Sequence, residues 1–422
     1  MKSTPYQAWT PRGGQKFPAT IALPMKRLVV VSVGLAALMV GVVLAWYSVR
    51  QEREFQRLIA AGDAALAADQ TYGAIEAFSG ALALKGDSML AHLKRGDTYR
   101  RRGELTAALR DLRDAASLDP SAPRPVELLG DVNTAMGRYP RAAEHYRTFI
   151  ALDDRSPRVL YKLAVAYYRN GQAQDAIGPL RGAVAMNDRF AEAHYLLGMC
   201  LRDRGQGDEA RAALTRAVQI NPAFVAAREE LVNLFERAGR QQDALDQLEA
   251  LAALEPAHAE RLVSVGLAYA RRGRTDAAIL TLGRAAERNP NQPAVYTAIG
   301  RVWLNAAESR NDRVALGKAI EALAPIAESA TASSEALTLY GQAMLLSGDV
   351  RSAERILLRA AGRPPVDPDT FRRLADASQR LGHLAVARDA LLRYVALADE
   401  RDVDAATTAR LANLEQRLAR SG

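Results

Sequence analysis

Alanine recurs at a fixed step of 34 residues along most of this chain, as Ala74, Ala108, Ala142, Ala176, Ala210, Ala244 and Ala278, and again as Ala319, Ala353 and Ala387. A period of that length marks one supersecondary unit, repeated, that buries its apolar face only by stacking on its neighbours. The window 191–224 states the unit most fully. Leu197, Gly198, Leu201, Gly205, Ala210, Leu214, Ala217 and Pro222 fall at its positions 7, 8, 11, 15, 20, 24, 27 and 32. Apolar residues at the first three positions give a first helix one buried stripe, and Gly205 ends it because glycine accepts the left-handed conformation of a helix terminus. A second helix starts near Asp208, carries Ala210, Leu214 and Ala217 on one face, and stops at Asn221-Pro222, since proline lacks a backbone donor and clashes with the preceding turn. Gly198 and Ala210 have almost no side chain, so the two helices can approach there while Leu201 and Leu214 fill the flanks. Position 8 is glycine in seven units (Gly62, Gly96, Gly130, Gly198, Gly266, Gly300, Gly341) and Ala164, Val232 or Ala375 in the others. Val232 should loosen its own pair.

The pattern resembles the tetratricopeptide repeat, a helix-turn-helix of 34 residues, over about four-fifths of the chain. The resemblance implies an all-α fold: an α-solenoid superhelix of about ten units filling 55–401 and starting at residues 55, 89, 123, 157, 191, 225, 259, 293, 334 and 368. A C-terminal capping helix is expected within 402–422, with Leu411, Leu414 and Leu418 on one face. The resemblance also implies that an extended or helical segment of a partner protein lies along a concave face lined by positions 2, 5, 9, 12 and 13 of each first helix. In most repeats those positions are charged or small. Repeats four and five instead place Tyr161, Val165 and Tyr168 beside Tyr195 and Met199, flanked by Arg169 and Arg202. Exposed in a groove, these would form an apolar patch with a basic rim and serve as a peptide site; the other reading of the same residues is packing between repeats. The family's carboxylate clamp needs Lys at position 5 and Asn at position 9 of one repeat, a pairing that never occurs here: repeat four has Tyr161 and Val165, and Asn233 is accompanied by Glu229.

Ahead of the repeats, residues 1–27 carry Pro5, Pro11, Pro18, Pro24 and Gly13-Gly14 without apolar periodicity, and are expected to be a disordered basic tail. Residues 28–47 contain no charge; twenty residues at about 1.5 Å each span roughly 30 Å, the thickness of a bilayer's hydrocarbon core. A transmembrane helix is the expectation, with Trp46 and Tyr47 at one interface, Lys26-Arg27 at the other, and a linker over 48–54. Cleavage as a signal peptide at Val43-Leu44-Ala45 is the competing reading. Five Lys or Arg precede the span while Arg50, Arg53 and Arg57 follow it, which puts the N-terminus in the cytoplasm and the repeats outside it, in the periplasm if the cell is Gram-negative. Ala37, Gly41 and Ala45 form a small-residue stripe through which the span could pair with a second copy. The same segment explains the charge. The formal +8 comes from 56 basic and 48 acidic residues, but residues 1–50 hold six of the former and no acid, leaving 50 against 48. A nearly neutral array argues against a nucleic-acid partner.

Repeat eight breaks the period, because Ala319 follows Ala278 by 41 residues. Seven extra residues equal about two helical turns, so one added turn on each helix would keep both apolar faces aligned, and Pro325 should kink the second helix. Motifs for chemistry are scarce. Gly205-Gln206-Gly207 joins two helices instead of following a strand, and Gly317-Lys318 is followed by Ala319 where a phosphate loop needs Ser or Thr. Cys200 is alone, excluding an internal disulfide and a multi-cysteine zinc site, and at position 10 it reads as a small buried residue. The five histidines His92, His145, His194, His258 and His383 lie in different repeats. No cofactor and no metal site are expected. The chain thus reads as a non-catalytic, membrane-anchored scaffold for protein or peptide partners in envelope assembly or secretion, or alternatively as an accessory subunit delivering substrate to a separate envelope transferase or peptidase. Its Arg-rich, Ala-rich composition suggests a GC-rich bacterial source.

Overall fold

The computed structural model describes residues 25–399, 401 and 403–421, which form 21 helices and no strand. Most of the expected disordered tail, residues 1–24, lies outside the described residues. The chain divides into two compact units, Met1–Ala166 and Tyr167–Gly422.

In the first unit, α1 (Met25–Ala67) packs on α2 (Thr71–Leu84), α3 (Met89–Arg101) on α4 (Leu105–Leu118) and α5 (Pro123–Ala135) on α6 (Tyr139–Leu152), with α2 against α3 and α4 against α5. Most of α7 (Pro157–Arg169) also belongs here. The 43 residues of α1 are one uninterrupted helix, so residues 48–54, expected to link span and repeats, are themselves helical and the apolar segment continues directly into the first repeat. The reason is local: between Gly41 and Gly62 there is no glycine or proline, and Arg50, Gln51, Glu52, Arg53 and Glu54 are good helix formers. The apolar half of α1 has no partner in the fold, since Leu35, Leu38, Val42 and Leu44 are all more than half exposed. Its segment Ser32–Ala67 is long and apolar enough to cross a membrane.

The second unit holds the end of α7, then α8 (Ala173–Met186), α9 (Ala191–Asp203), α10 (Gly207–Ile220), α11 (Val225–Arg237), α12 (Gln241–Leu254), α13 (Ala259–Arg271), α14 (Thr275–Arg288), α15 (Pro293–Arg310), α16 (Arg313–Glu328), α17 (Ser334–Ser347), α18 (Val350–Ala361), α19 (Pro368–Arg380), α20 (Leu384–Leu397) and α21 (Ala405–Ser421). From α9 on, odd helices pair with the next even one, and each even helix packs on the following odd one. α21 covers α20, burying Leu414 completely and Leu411 in part.

In the seven units with glycine at position 8, that glycine meets the large residue of the second helix, at position 24 in all but repeat eight. A Cβ on Gly198 would stand 2.6 Å from Leu214 Cγ, and one on Gly62 would stand 2.3 Å from the Phe78 ring. In repeat eight the residue facing Gly300 is Leu323, so the insertion lies between these two positions. Its seven residues are not shared as one turn per helix. α15 has 18 residues where α13 has 13, and α16 has 16 where α14 has 14. Asn311, in the left-handed region at φ 51°, stops α15, and the Asp312 carboxylate accepts from Val314 and Ala315 N–H at 2.8 and 3.1 Å to start α16. Pro325 sits inside α16, close to its C-terminal end.

Capping is uneven. From α8 to α15 no N-cap side chain accepts a backbone N–H of its helix, whereas those of Asp312, Ser333, Asp349 and Asp367 do so in succession for α16 to α19.

Candidate functional site

Ion pairs join successive first helices in both units. In the first unit Lys94 reaches back to Asp63 at 2.6 Å, and Lys162 reaches both Asp131 (2.7 Å) and Glu127 (2.8 Å). Glu127 is 2% exposed and also takes Arg124 at 2.6 Å and Arg158 at 2.7 Å. Burial pushes its carboxyl up, but Lys162 and Arg124 more than offset this and hold it below the usual range. Tyr146, buried against Gly130, donates to Asp131 at 2.8 Å, and burial raises its phenol pKa. On α7, Tyr161 and Val165 are both half-buried.

The remaining sequence-selected residues lie in the second unit. Tyr168, Tyr195, Met199 and Arg202 are half-buried, and Arg169 is exposed. Burial and the hydrogen bond to Asp203 push the Tyr168 phenol up. The Tyr195 ring packs on Phe224, centroids 4.9 Å apart and tilted by 41°. Arg202 is held between Asp203, at 2.7 Å, and Glu230, two pairings that raise its pKa against the opposing effect of burial. The basic rim expected there is therefore partly neutralised by the protein's own acids. Arg271 to Glu236 (2.8 Å), Arg261 to Glu229 and Arg301 to Glu335 continue the same pattern.

The longer repeat creates a cleft that the sequence reading did not place. About 850 Å³ opens between α15 and α16, walled by Tyr296, Ile299 and Trp303 on one side and Ala322, Pro325 and Ile326 on the other, with the Lys318 ammonium 4.3 Å from the Trp303 ring centroid. The 41-residue step and the three prolines Pro290, Pro293 and Pro325 were the available signal. A polar groove of about 550 Å³ opens elsewhere on α15, with Arg301, Asn305, Thr338, Gln342, Asp369 and Arg373 in its wall. A smaller cleft of about 460 Å³ opens at Val232, the bulky departure at position 8.

Three groupings that could suggest chemistry are wired for structure. Ser378, Glu354 and His383 adjoin, but the serine hydroxyl (2.6 Å) and imidazole Nδ1 (2.9 Å) both point to Glu354, so no imidazole stands ready to take the serine proton. The ligand atoms of His92, Asp111 and Asp114 fall within 4.8 Å of one another, yet Arg95 already engages both oxygens of Asp111 at 2.7 Å. Cys200 is buried, which pushes its thiol up to about 12, away from thiolate chemistry.

Stacked helix pairs with a small residue at the crossing and paired first helices define an α-solenoid repeat protein. Comparison with known proteins gives the repeat its family. A tetratricopeptide repeat model matches residues 59–123 and 229–293, and a model described as anaphase-promoting complex, cyclosome, subunit 3 matches 135–217. The chain carries tetratricopeptide repeats over residues 59–123 and 229–293. Among solved structures, the C-terminal part of a TPR repeat-containing protein from Cytophaga hutchinsonii is 14% identical, with 57% of this chain and 99% of that one covered at a TM-score of 0.50. A tetratricopeptide repeat protein from Parabacteroides merdae is 17% identical over 59% and 99% of the two chains at 0.43. MamA is 27% identical over 38% and 94% at 0.37. No curated protein matches the sequence.

Proposed function

We propose that this chain is a membrane-anchored, non-catalytic scaffold that holds protein or peptide segments against the first-helix faces of its repeats, in envelope assembly or secretion. The observation that carries the reading is the N-terminal half of α1: an exposed apolar segment that packs on no described helix and runs without a break into the half that builds the first repeat. Isolated apolar surface of that length in water costs about 25 cal/mol per Å², so a lipid environment accounts for it best. The basic bias ahead of the span supports a cytoplasmic N-terminus and extracytoplasmic repeats.

The contacts proposed for partners are Tyr161 and Val165 in the first unit and Tyr168, Arg169, Tyr195, Met199 and Arg202 in the second. Tyrosine and arginine in half-buried settings are the residue types that dominate binding energy at interfaces. The test is cross-linking in intact cells followed by capture from solubilised membranes. Wild-type chain should retain a defined set of envelope proteins, and the combined Tyr161→Ser, Tyr168→Ser, Tyr195→Ser variant should lose them while keeping its helical content. Retention of the same partners by that variant moves the site elsewhere. Capture of one stoichiometric enzyme would instead favour substrate delivery. Protease added to spheroplasts should digest the array; survival until the membrane is breached would reverse the orientation.

A further inference from the structure

We infer that the inter-repeat edge of the first unit is seated on the membrane, with the loop after α2 in the phospholipid headgroup layer. This rests on α1 being a membrane span. The argument is one of levels along a single helix. If Tyr47 marks the hydrocarbon boundary, the headgroup layer beyond it is about 5 to 8 Å deep. On an unbroken helix that depth is used up within about four or five residues, near Gln51 and Glu52.

Those two residues are where the first repeat closes on itself. The Gln51 side-chain amide donates to the Leu84 carbonyl at 2.7 Å, Lys85 pairs with Glu52, and the Lys85 ammonium lies 4.8 Å from the Phe55 ring centroid. The end of α2 and the loop leading to α3 are thus pinned at the outer margin of the headgroups. A flexible linker at 48–54 would let the array swing away; a continuous helix does not. Arg50, the charge next to the span, suits phosphates, while Arg53 and Lys85 further out are matched by Glu52, Glu54 and Asp87. Arg50 also lies 5.4 Å over Trp46, an aromatic–cation pair placed at the interface. α3 then leads away from this edge, and its 13 residues carry Arg101 about 20 Å further from the lipid.

The test uses the full chain in vesicles of phosphatidylcholine and phosphatidylglycerol, with Cys200→Ala as background and a fluorophore on Gly86→Cys or Arg101→Cys. Gly86 is exposed and has no atom closer than 3.7 Å to an added Cβ, and Arg101 is exposed, so both variants should fold. Headgroup-attached nitroxide should remove most of the emission at 86 and leave that at 101 near its unquenched level. A Ser48→Pro variant, which breaks the strut, should restore emission at 86 while the chain still floats with the vesicles. Equal quenching at 86 and 101 in floating vesicles overturns the seating and leaves the anchor reading intact. A chain that does not float with the vesicles overturns both.

Discussion

The tight crossing at position 8 can be weighed by comparing two glycine-to-alanine changes. In Gly198→Ala the new Cβ would stand 2.6 Å from Leu214 Cγ, 2.9 Å from its Cδ2 and 3.2 Å from the Ala210 carbonyl oxygen. Leu214 is fully buried and meets the intruder at its branch carbon, so it cannot swing aside, and Ala210 meets it with backbone. Gly283 lies inside another helix, α14, with nothing within 4 Å of its added Cβ. Both substitutions gain about 1 kcal/mol of helix propensity, which cancels in the comparison. What remains is the overpacking at 198, about 1 to 3 kcal/mol. Gly283→Ala should therefore stabilise the protein, while Gly198→Ala should be neutral to destabilising and Gly198→Leu worse than either. Urea unfolding followed by circular dichroism reads the difference as a midpoint that rises for Gly283→Ala and stays or falls for Gly198→Ala. If Gly198→Ala stabilises as much as Gly283→Ala, the helices do not meet there and the assigned packing is wrong.

The other expectations concern charge and the end of the array. Glu127, whose carboxyl is held below its ordinary value, contributes stability that is fully present above its unfolded pKa of about 4.3 and is lost as pH falls through the lower folded value. Glu127→Gln should cost about 1 to 3 kcal/mol at pH 7 and flatten that acid limb; an unchanged acid titration of stability would show that Lys162 and Arg124 do not sense it. Leu414→Ala should destabilise by about 2 to 5 kcal/mol, with increased amide exchange concentrated in α19 and α20, because Leu414 is the fully buried residue of the terminal helix. Uniform exchange across the second unit would argue against a local cap.

The features legible in the sequence were those set by steric rules acting at fixed spacing. Gly205 and its counterparts at position 15, Gly103, Gly137, Gly171, Gly239 and Gly273, all take positive φ, as a helix-ending glycine should. Glycine at position 8 and a large residue at position 24 likewise meet where the helices cross too closely for an added Cβ. Three things escaped. The continuity of α1 depended on residues 48–54 having no breaker, an absence easily overlooked beside a change from apolar to charged composition. The uneven extension of repeat eight was decided by Asn311 and Asp312, which stop one helix and cap the next. The ion pairs of Arg202, Arg261 and Lys162 join residues about thirty positions apart, so a face that reads as charged in sequence is largely compensated in space. The cleft beside Trp303 arises from that same extension and so shared its obscurity.

The run of side-chain caps on α16 to α19 bears on the order in which the protein gains structure. Starting a helix is its costly step, and a capping side chain lowers that cost by about 1 kcal/mol at each start. Four consecutive helices with such caps make the stretch from Asp312 to Arg380 the best nucleation region of the second unit. It is also among the last to leave the ribosome, since synthesis runs from the N-terminus. The earlier repeats of that unit, from α8 to α15, are made first without such caps; structure seeded in the capped stretch would propagate back towards them against the direction of synthesis.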